Sequence, residues 1–138
     1  LIIRAQQAED LDSLLKLFNR SRTAAACFSE ADYSISEFLK ALEGESIFVA
    51  EIGEQIAGFV SLWQPTNFIH HLYIDPKHQG AGIGKALLGF CQEEFGLPLS
   101  LKCVQANIHA CQFYEGLGWV TKSTGIGTDG SYNIYWLE

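Results

Sequence analysis

The sequence predicts an α/β domain with one mixed, mostly antiparallel central sheet flanked by helices, in the order βααβββαβαββ, and three observations predict it. β-rich runs alternate with stretches of helical periodicity along the 138 residues. Two of those runs, Ser46–Ile52 and Gln55–Trp63, are separated only by Gly53-Glu54, the spacing of a tight hairpin. Finally, Phe68–Val104 reads as strand, glycine-rich turn, helix and strand, the unit that makes a parallel pair through a right-handed crossover.

Each element follows from local chemistry. Leu1–Arg4 is a short apolar strand, after which Ala8-Glu9-Asp10 opens a helix with Leu11, Leu14, Leu15 and Phe18 on one face. Ser21 to Asp32 is polar and small, and reads as a loop. Ser34 or Ser36 then caps a second helix that runs through Leu42 and stops at Gly44. The hairpin strands and a third run, Phe68–Ile74, form an antiparallel meander ended by Asp75-Pro76. Gly82–Phe95 places Ile83, Leu87, Phe90 and Cys91 on one helical face and ends at Gly96-Leu97-Pro98. A strand over Leu99–Val104, a helix from about Asn107 to Leu117, and strands around Trp119–Ser123 and Tyr132–Leu137 complete the chain.

Composition bounds the function. The length is that of one domain, residues 1–138, and 48% hydrophobic with 18% charged residues suits a compact globule. No stretch approaches the roughly 20 apolar residues of a membrane span, and Arg4, Glu9, Asp10 and Asp12 interrupt what would be a signal-peptide core. The expectation is a cytoplasmic protein with no membrane partner. A net charge of −7 argues against nucleic acid, whose phosphates need a basic face. The four cysteines have neither C-x-x-C nor zinc spacing and read as reduced, buried residues, so no metal is expected.

Gln79-Gly80-Ala81-Gly82-Ile83-Gly84-Lys85 joins a strand to a helix, where backbone N–H groups and the helix dipole can hold phosphates. It is not a P-loop: Gly80 and Gly84 have three residues between them rather than four, and Ala86 follows Lys85. It is not the dinucleotide fingerprint either, because its third glycine comes one place early. It does match [QR]-x-x-G-x-[GA], with Gln79, Gly82 and Gly84 in the fixed places. At this loop the sequence resembles the GNAT acetyltransferase superfamily. HLYIDPKHQGAGIGKALL, His71 to Leu88, resembles that family's central strand, pyrophosphate loop and helix. NIHACQFYEGLGW, Asn107 to Trp119, resembles its next helix, with Trp in place of the usual final Phe. The opening, Ile2 to Leu14, is similar more loosely.

The resemblance implies a single-domain GNAT-like fold and transfer of an acetyl group from acetyl-CoA to an amine. It also implies a wedge where Phe68–Ile74 parts from Leu99–Val104, with the backbone of Leu72, Tyr73 and Ile74 along pantetheine. Gln79, Gly80, Ala81, Gly82, Ile83, Gly84 and Lys85 then hold the pyrophosphate, Lys85 being equally readable as an exposed first-turn lysine. Tyr114, by resemblance, protonates the departing thiolate, a role a phenol of pKa about 10 can fill while neutral. Asn107 contacts the cofactor or caps its own helix.

The base is a histidine on the central strand. Adjacent strand residues face opposite ways, so one of His70 and His71 serves directly. His71 shares a face with Tyr73 and is the choice, whereas His70 shares one with Leu72 and Ile74 and reads also as a packed core residue. Glu30 and Asp32 are candidates to attract a cationic amine, or ordinary loop residues. His78 and His109 read as surface residues. Relatives that acetylate protein N-termini often carry a Glu where this chain has Lys102, which argues against that activity. The leading expectation is therefore a small-molecule amine acceptor; a protein lysine or N-terminus, and a non-catalytic acyl-CoA sensor, are the alternatives. The oligomeric state stays open, a homodimer being the assembly to test.

Overall fold

A computed structural model describes residues 1–28 and 31–138. The strands are β1 (Ile2–Ala5), β2 (Ser46–Ile52), β3 (Gln55–Trp63), β4 (Phe68–Ile74), β5 (Leu99–Val104), β6 (Val120–Gly127) and β7 (Gly130–Leu137). They form one seven-stranded sheet in the order β1-β2-β3-β4-β5-β7-β6. Every neighbouring pair is antiparallel except β4 and β5. The helices are α1 (Leu11–Ala25), α2 (Ile35–Ala41), α3 (Ile83–Phe95) and α4 (Ile108–Gly116). The expected α/β order, βααβββαβαββ, is the observed one.

Two apolar layers sandwich the sheet. On one face Leu14, Leu17 and Phe18 of α1 and Phe38 of α2 pack on Val49 and Phe59. On the other, Ile83, Leu87, Leu88 and Cys91 of α3 with Cys111 and Tyr114 of α4 cover Val60, Leu62, Ile69 and Leu101. Burial on this scale is the main stabilising term of the fold.

Several local readings need correction. Ala8–Asp10 is a short 3-10 turn and α1 proper begins at Leu11. It runs on to Ala25, through five residues read from the sequence as loop, because the buried face continues: Ser21 is buried and its hydroxyl donates to the Ile74 carbonyl at 3.0 Å. The helix ends at Ala26 in the left-handed region, φ 56°. Of the two candidate caps for α2, Ser34 serves, in a reciprocal capping box with Glu37. β6 and β7 are longer than expected and meet at a turn over Thr128-Asp129, with Gly127 paired to Gly130.

The pairing of β4 decides what this sheet can hold. Along β3 the register passes from Ser61 opposite His71 to Leu62 opposite Ile69, so His70 is an extra, unpaired residue: a β-bulge. On its other edge β4 pairs with β5 only at Phe68–Ser100 and Ile69–Leu101. Beyond the bulge the two strands part, and the β5-facing edge of the rest of β4 has no strand partner.

Candidate active site

Two cavities open into this cleft. The larger, about 590 Å³, runs from the parted strands to the loop before α3 and is lined by Leu72, Tyr73, Ile74, Gln79, Gly80, Gly82, Ile83, Gly84, Lys85, Asn107 and Tyr114. The smaller, about 300 Å³, lies towards α1 and the β6–β7 turn, lined by residues that include Arg22, His70, His71, Lys102, Asp129 and Tyr132. Phe28, Leu72, Tyr73, Asn107, Ala110 and Tyr114 belong to both walls. The cavities therefore meet at those residues.

The glycine loop prepares the far end of the larger cavity. Gly80 and Gly82 have φ of +83° and +79°, in the left-handed region that glycine adopts without cost. Gly82 is the N-cap of α3 and supplies no side-chain acceptor, so the first N–H groups of the helix are left for a ligand. Gly84 serves packing instead. A Cβ there would lie 3.1 Å from the Phe113 ring, so its smallness lets α4 approach α3. Ala81 is exposed and lies outside the lining; His109 is exposed, as read from the sequence, and borders the cavity, whereas His78, also read as a surface residue, is half-buried in its wall. Nδ1 of His78 is buried without a hydrogen-bond partner among the described residues.

Tyr114 stands at the junction. It is 8% exposed, its ring packed against Phe113, Trp119 and Tyr135. Burial, with the nearby Cys103, pushes its phenol well above the ordinary value of 10. Asn107 caps α4, accepting from the Ala110 amide at 3.4 Å, and lines both cavities as well. On β4 the Ile74 carbonyl is already taken by Ser21.

The two histidines differ as a result of the bulge. His71 lies on the α1 face with Tyr73, against the rings of Phe18 and Phe59. Burial above all, then the neighbouring His70 and Arg22, lowers its pKa from 6.5 to about 4. His70 is not packed in the core beside Leu72 and Ile74: the extra residue turns it outwards, where it is exposed and its Nδ1 is 2.7 Å from Glu45 Oε1. The same Glu45 oxygen is 3.3 Å from Ser61 Oγ, and Ser61 Oγ is 2.6 Å from His71 Nδ1. Ser61 has one proton to give. If it goes to the Glu45 carboxylate, His71 donates from Nδ1 and keeps a lone pair on Nε2.

Glu45, Ser61 and Arg22 are the site residues that sequence reasoning does not reach. Glu45 carries no motif, and Ser61 sits in a run of apolar strand residues. Arg22 had one signal, its place four residues after Phe18 on the buried stripe of α1. Of the proposed acceptor carboxylates, Glu30 lies outside the described residues, and Asp32 is exposed and lines neither cavity. Among the described residues no three His, Cys, Asp or Glu side chains gather as metal ligands, and no helix is long and apolar enough to cross a membrane.

The sequence model of the Acetyltransferase (GNAT) domain matches residues 16–132. The peptidyl-lysine N-acetyltransferase YiaC of Escherichia coli K12 is 31% identical over 122 residues, which cover 86% of this chain and 82% of that protein. A GCN5-related N-acetyltransferase from Rhodopseudomonas palustris has a similar structure, with a TM-score of 0.82 at 22% identity, covering 98% of this chain and 93% of that one. YncA of Salmonella typhimurium, solved with its cofactor acetyl-CoA, superposes with a TM-score of 0.77 at 16% identity, covering 99% and 92%.

Proposed function

Because the chain belongs to the GNAT family of acetyltransferases, and is thus an acyltransferase, we propose that it moves an acetyl group from acetyl-CoA directly to a primary amine of a small molecule. The observation that carries this reading is the meeting of two cavities at Tyr114. Two substrates enter from different sides and touch there, which favours direct transfer in a ternary complex over a covalent enzyme intermediate.

The larger cavity fits the donor. Uncapped N–H groups at the start of α3, between Gly80 and Lys85, suit a pyrophosphate, and the unpaired edge of β4 at Leu72 and Tyr73 suits the amides of a pantetheine arm. On this reading a backbone N–H of that edge stabilises the oxyanion that forms as the amine attacks, a term worth roughly 3 kcal/mol in other acyl transfers. Tyr114 is protonated at working pH, as even an unshifted phenol would be, and stands where it can donate to the thiolate as that group leaves.

His71 is the base, and its low pKa defines when it acts. An ammonium of pKa about 10 is about six units more basic than His71, a gap of ~8 kcal/mol, so His71 does not strip the free ammonium. The amine enters neutral, and His71 Nε2 takes the proton that attack on the carbonyl makes acidic. Ser61 and Glu45 hold the Nδ1–H tautomer that this requires.

A lysine side chain presented by a protein is the second reading, favoured by the 31% identity to a peptidyl-lysine N-acetyltransferase. The small volume of the acceptor cavity favours a free small molecule, since about 300 Å³ is the lower end of ligand sites. Thiol release from acetyl-CoA with free amines, amino acids, polyamines and lysine peptides tests both. Turnover is expected with a free amine; turnover with peptides alone rejects the small-molecule reading, and binding of acetyl-CoA without turnover of any amine points to a sensor.

A further inference from the structure

We propose that the acceptor carries a carboxylate besides its amine, and that Arg22, assisted by Lys102, holds that carboxylate in the smaller cavity; the inference rests on the acetyl-transfer reading above. The chain has three arginines, and two are neutralised by their own neighbours. Arg4 pairs with Asp10 at 2.8 Å and Glu51 at 3.3 Å, and Arg20 pairs with Asp75 at 2.6 Å. Arg22 has no carboxylate partner among the described residues. Its guanidinium carbon lies 4.3 Å from the Phe28 ring centre, 5.1 Å from Tyr33 and 5.4 Å from Phe18. Its Nη2 is shielded from solvent with no hydrogen bond among the described residues.

That arrangement is costly in the free protein. Aromatic faces attract a guanidinium and the Tyr73 hydroxyl meets one of its donors, but Nη2 is left unmet, and an unmet charged donor loses water without compensation. A carboxylate is the group that a planar guanidinium meets best, with two parallel hydrogen bonds.

A second cation lines the same cavity. Lys102 on β5 holds its Nζ 4.9 Å from the Tyr132 ring centre. Asp129, an acidic residue of that lining, has interactions of its own. In a protein of net charge −7, two cations on one small cavity are a local departure from the background, and they select an anion. Since the cavity is about 300 Å³ and also has to bring the amine to Tyr114, amine and carboxylate belong to one small molecule: an amino acid or a related aminocarboxylate. The departure of Lys102 from the Glu of N-terminal acetylases then has a positive meaning. Attraction of a cationic amine by Glu30 and Asp32, the expectation from the sequence, would by contrast need no carboxylate on the acceptor.

The test uses matched pairs on the purified chain: glycine, β-alanine and lysine, each against its carboxamide, with putrescine and a lysine peptide alongside. Thiol release from acetyl-CoA is expressed per free amine, since the amide lowers the amine pKa. At least one aminocarboxylate is expected to exceed its carboxamide in kcat/KM by about tenfold or more, the scale of one charge-assisted hydrogen bond. Arg22→Gln is expected to bring that ratio towards one by raising KM for the carboxylate, Arg22→Lys to retain part of it, and Lys102→Gln to shift it the same way by less. Should Arg22→Gln not fold, Lys102→Gln, at an exposed position, carries the test alone. Equal turnover within every pair, a ratio untouched by these substitutions, or preference for putrescine or the peptide overturns the inference while leaving acetyl transfer standing. Absence of thiol release with every one of these amines overturns both.

Discussion

Tyr114 and His71 lose most of their contact with water, and burial acts on them in opposite chemical senses. A buried phenol resists giving up its proton and a buried imidazole resists taking one, so both groups are neutral at pH 7. Tyr114→Phe keeps the ring packing against Trp119 and Tyr135 and removes only the donor. It is expected to lower kcat about 100-fold or more with acetyl-CoA affinity changed less than about threefold, as read by steady-state kinetics and calorimetry. An unaltered kcat excludes Tyr114 as the acid. Ser61→Ala removes the oxygen that joins Glu45 to His71. Its expected effect is a fall in kcat of about tenfold, together with loss of the single Nδ1–H tautomer of His71 in nitrogen NMR spectra. A tautomer that survives the substitution rejects Ser61 as the positioning residue.

At the scale of elements, the start of α3 depends on backbone conformation more than on space. A Cβ on Gly82 would meet nothing within 4 Å, yet φ is +79° there. Gly82→Ala is therefore expected to cost about 1 kcal/mol through strain and to weaken acetyl-CoA binding as the helix entrance shifts. Equilibrium unfolding and calorimetry measure the two effects separately, and unaltered affinity detaches the loop from donor binding. Elements of this kind are legible in the sequence because their signals are local: Gly-x-Gly at a strand-to-helix junction, a serine ahead of α2 and a glycine after it, Gly-Glu between two strands. The fold order and the Gln79–Lys85 loop follow from them. What is not legible arises where distant segments meet. The Glu45–Ser61–His71 chain joins a turn and two strands, and the bulge that turns His70 outwards is a mismatch between β3 and β4 that neither strand reveals alone. The extra helical turn carrying Arg22 is hidden in the same way, since Ser21 to Ala25 look polar or small until Ile74 supplies a partner.

For the whole molecule, the ionisable groups make acid the weak direction. The unfolded chain binds a proton at His71 near pH 6.5, the folded one only near 4, so unfolding takes up protons between those values. Stability from this group is full above pH 6.5 and is lost as pH falls towards 4, by at most about 3 kcal/mol. Asp10 adds a second window below the ordinary 3.8: the hydrogen bonds from Arg4 hold its pKa down against burial. For Asp75 burial acts to raise the pKa, and Arg20 with the Lys77 amide more than reverses it. Urea unfolding is expected to show a falling midpoint from pH 6.5 to 4 and a steeper fall below. His71→Gln should flatten the first segment only; an unchanged slope there would mean that His71 is not the group that titrates.

The unpaired edge of β4 also bears on self-association. A free strand edge usually recruits another chain, and proteins protect such edges with charges, prolines or covering loops. Here the exposed ladder lies inside the sheet, between β3 on one side and β5 joined to it at the base, in a cleft that tapers to nothing at Ile69 and Leu101. A second polypeptide strand would need the spacing of a full sheet and would meet β5 first. The fold can thus keep backbone donors and acceptors open for a narrow ligand while withholding the template on which aggregates grow.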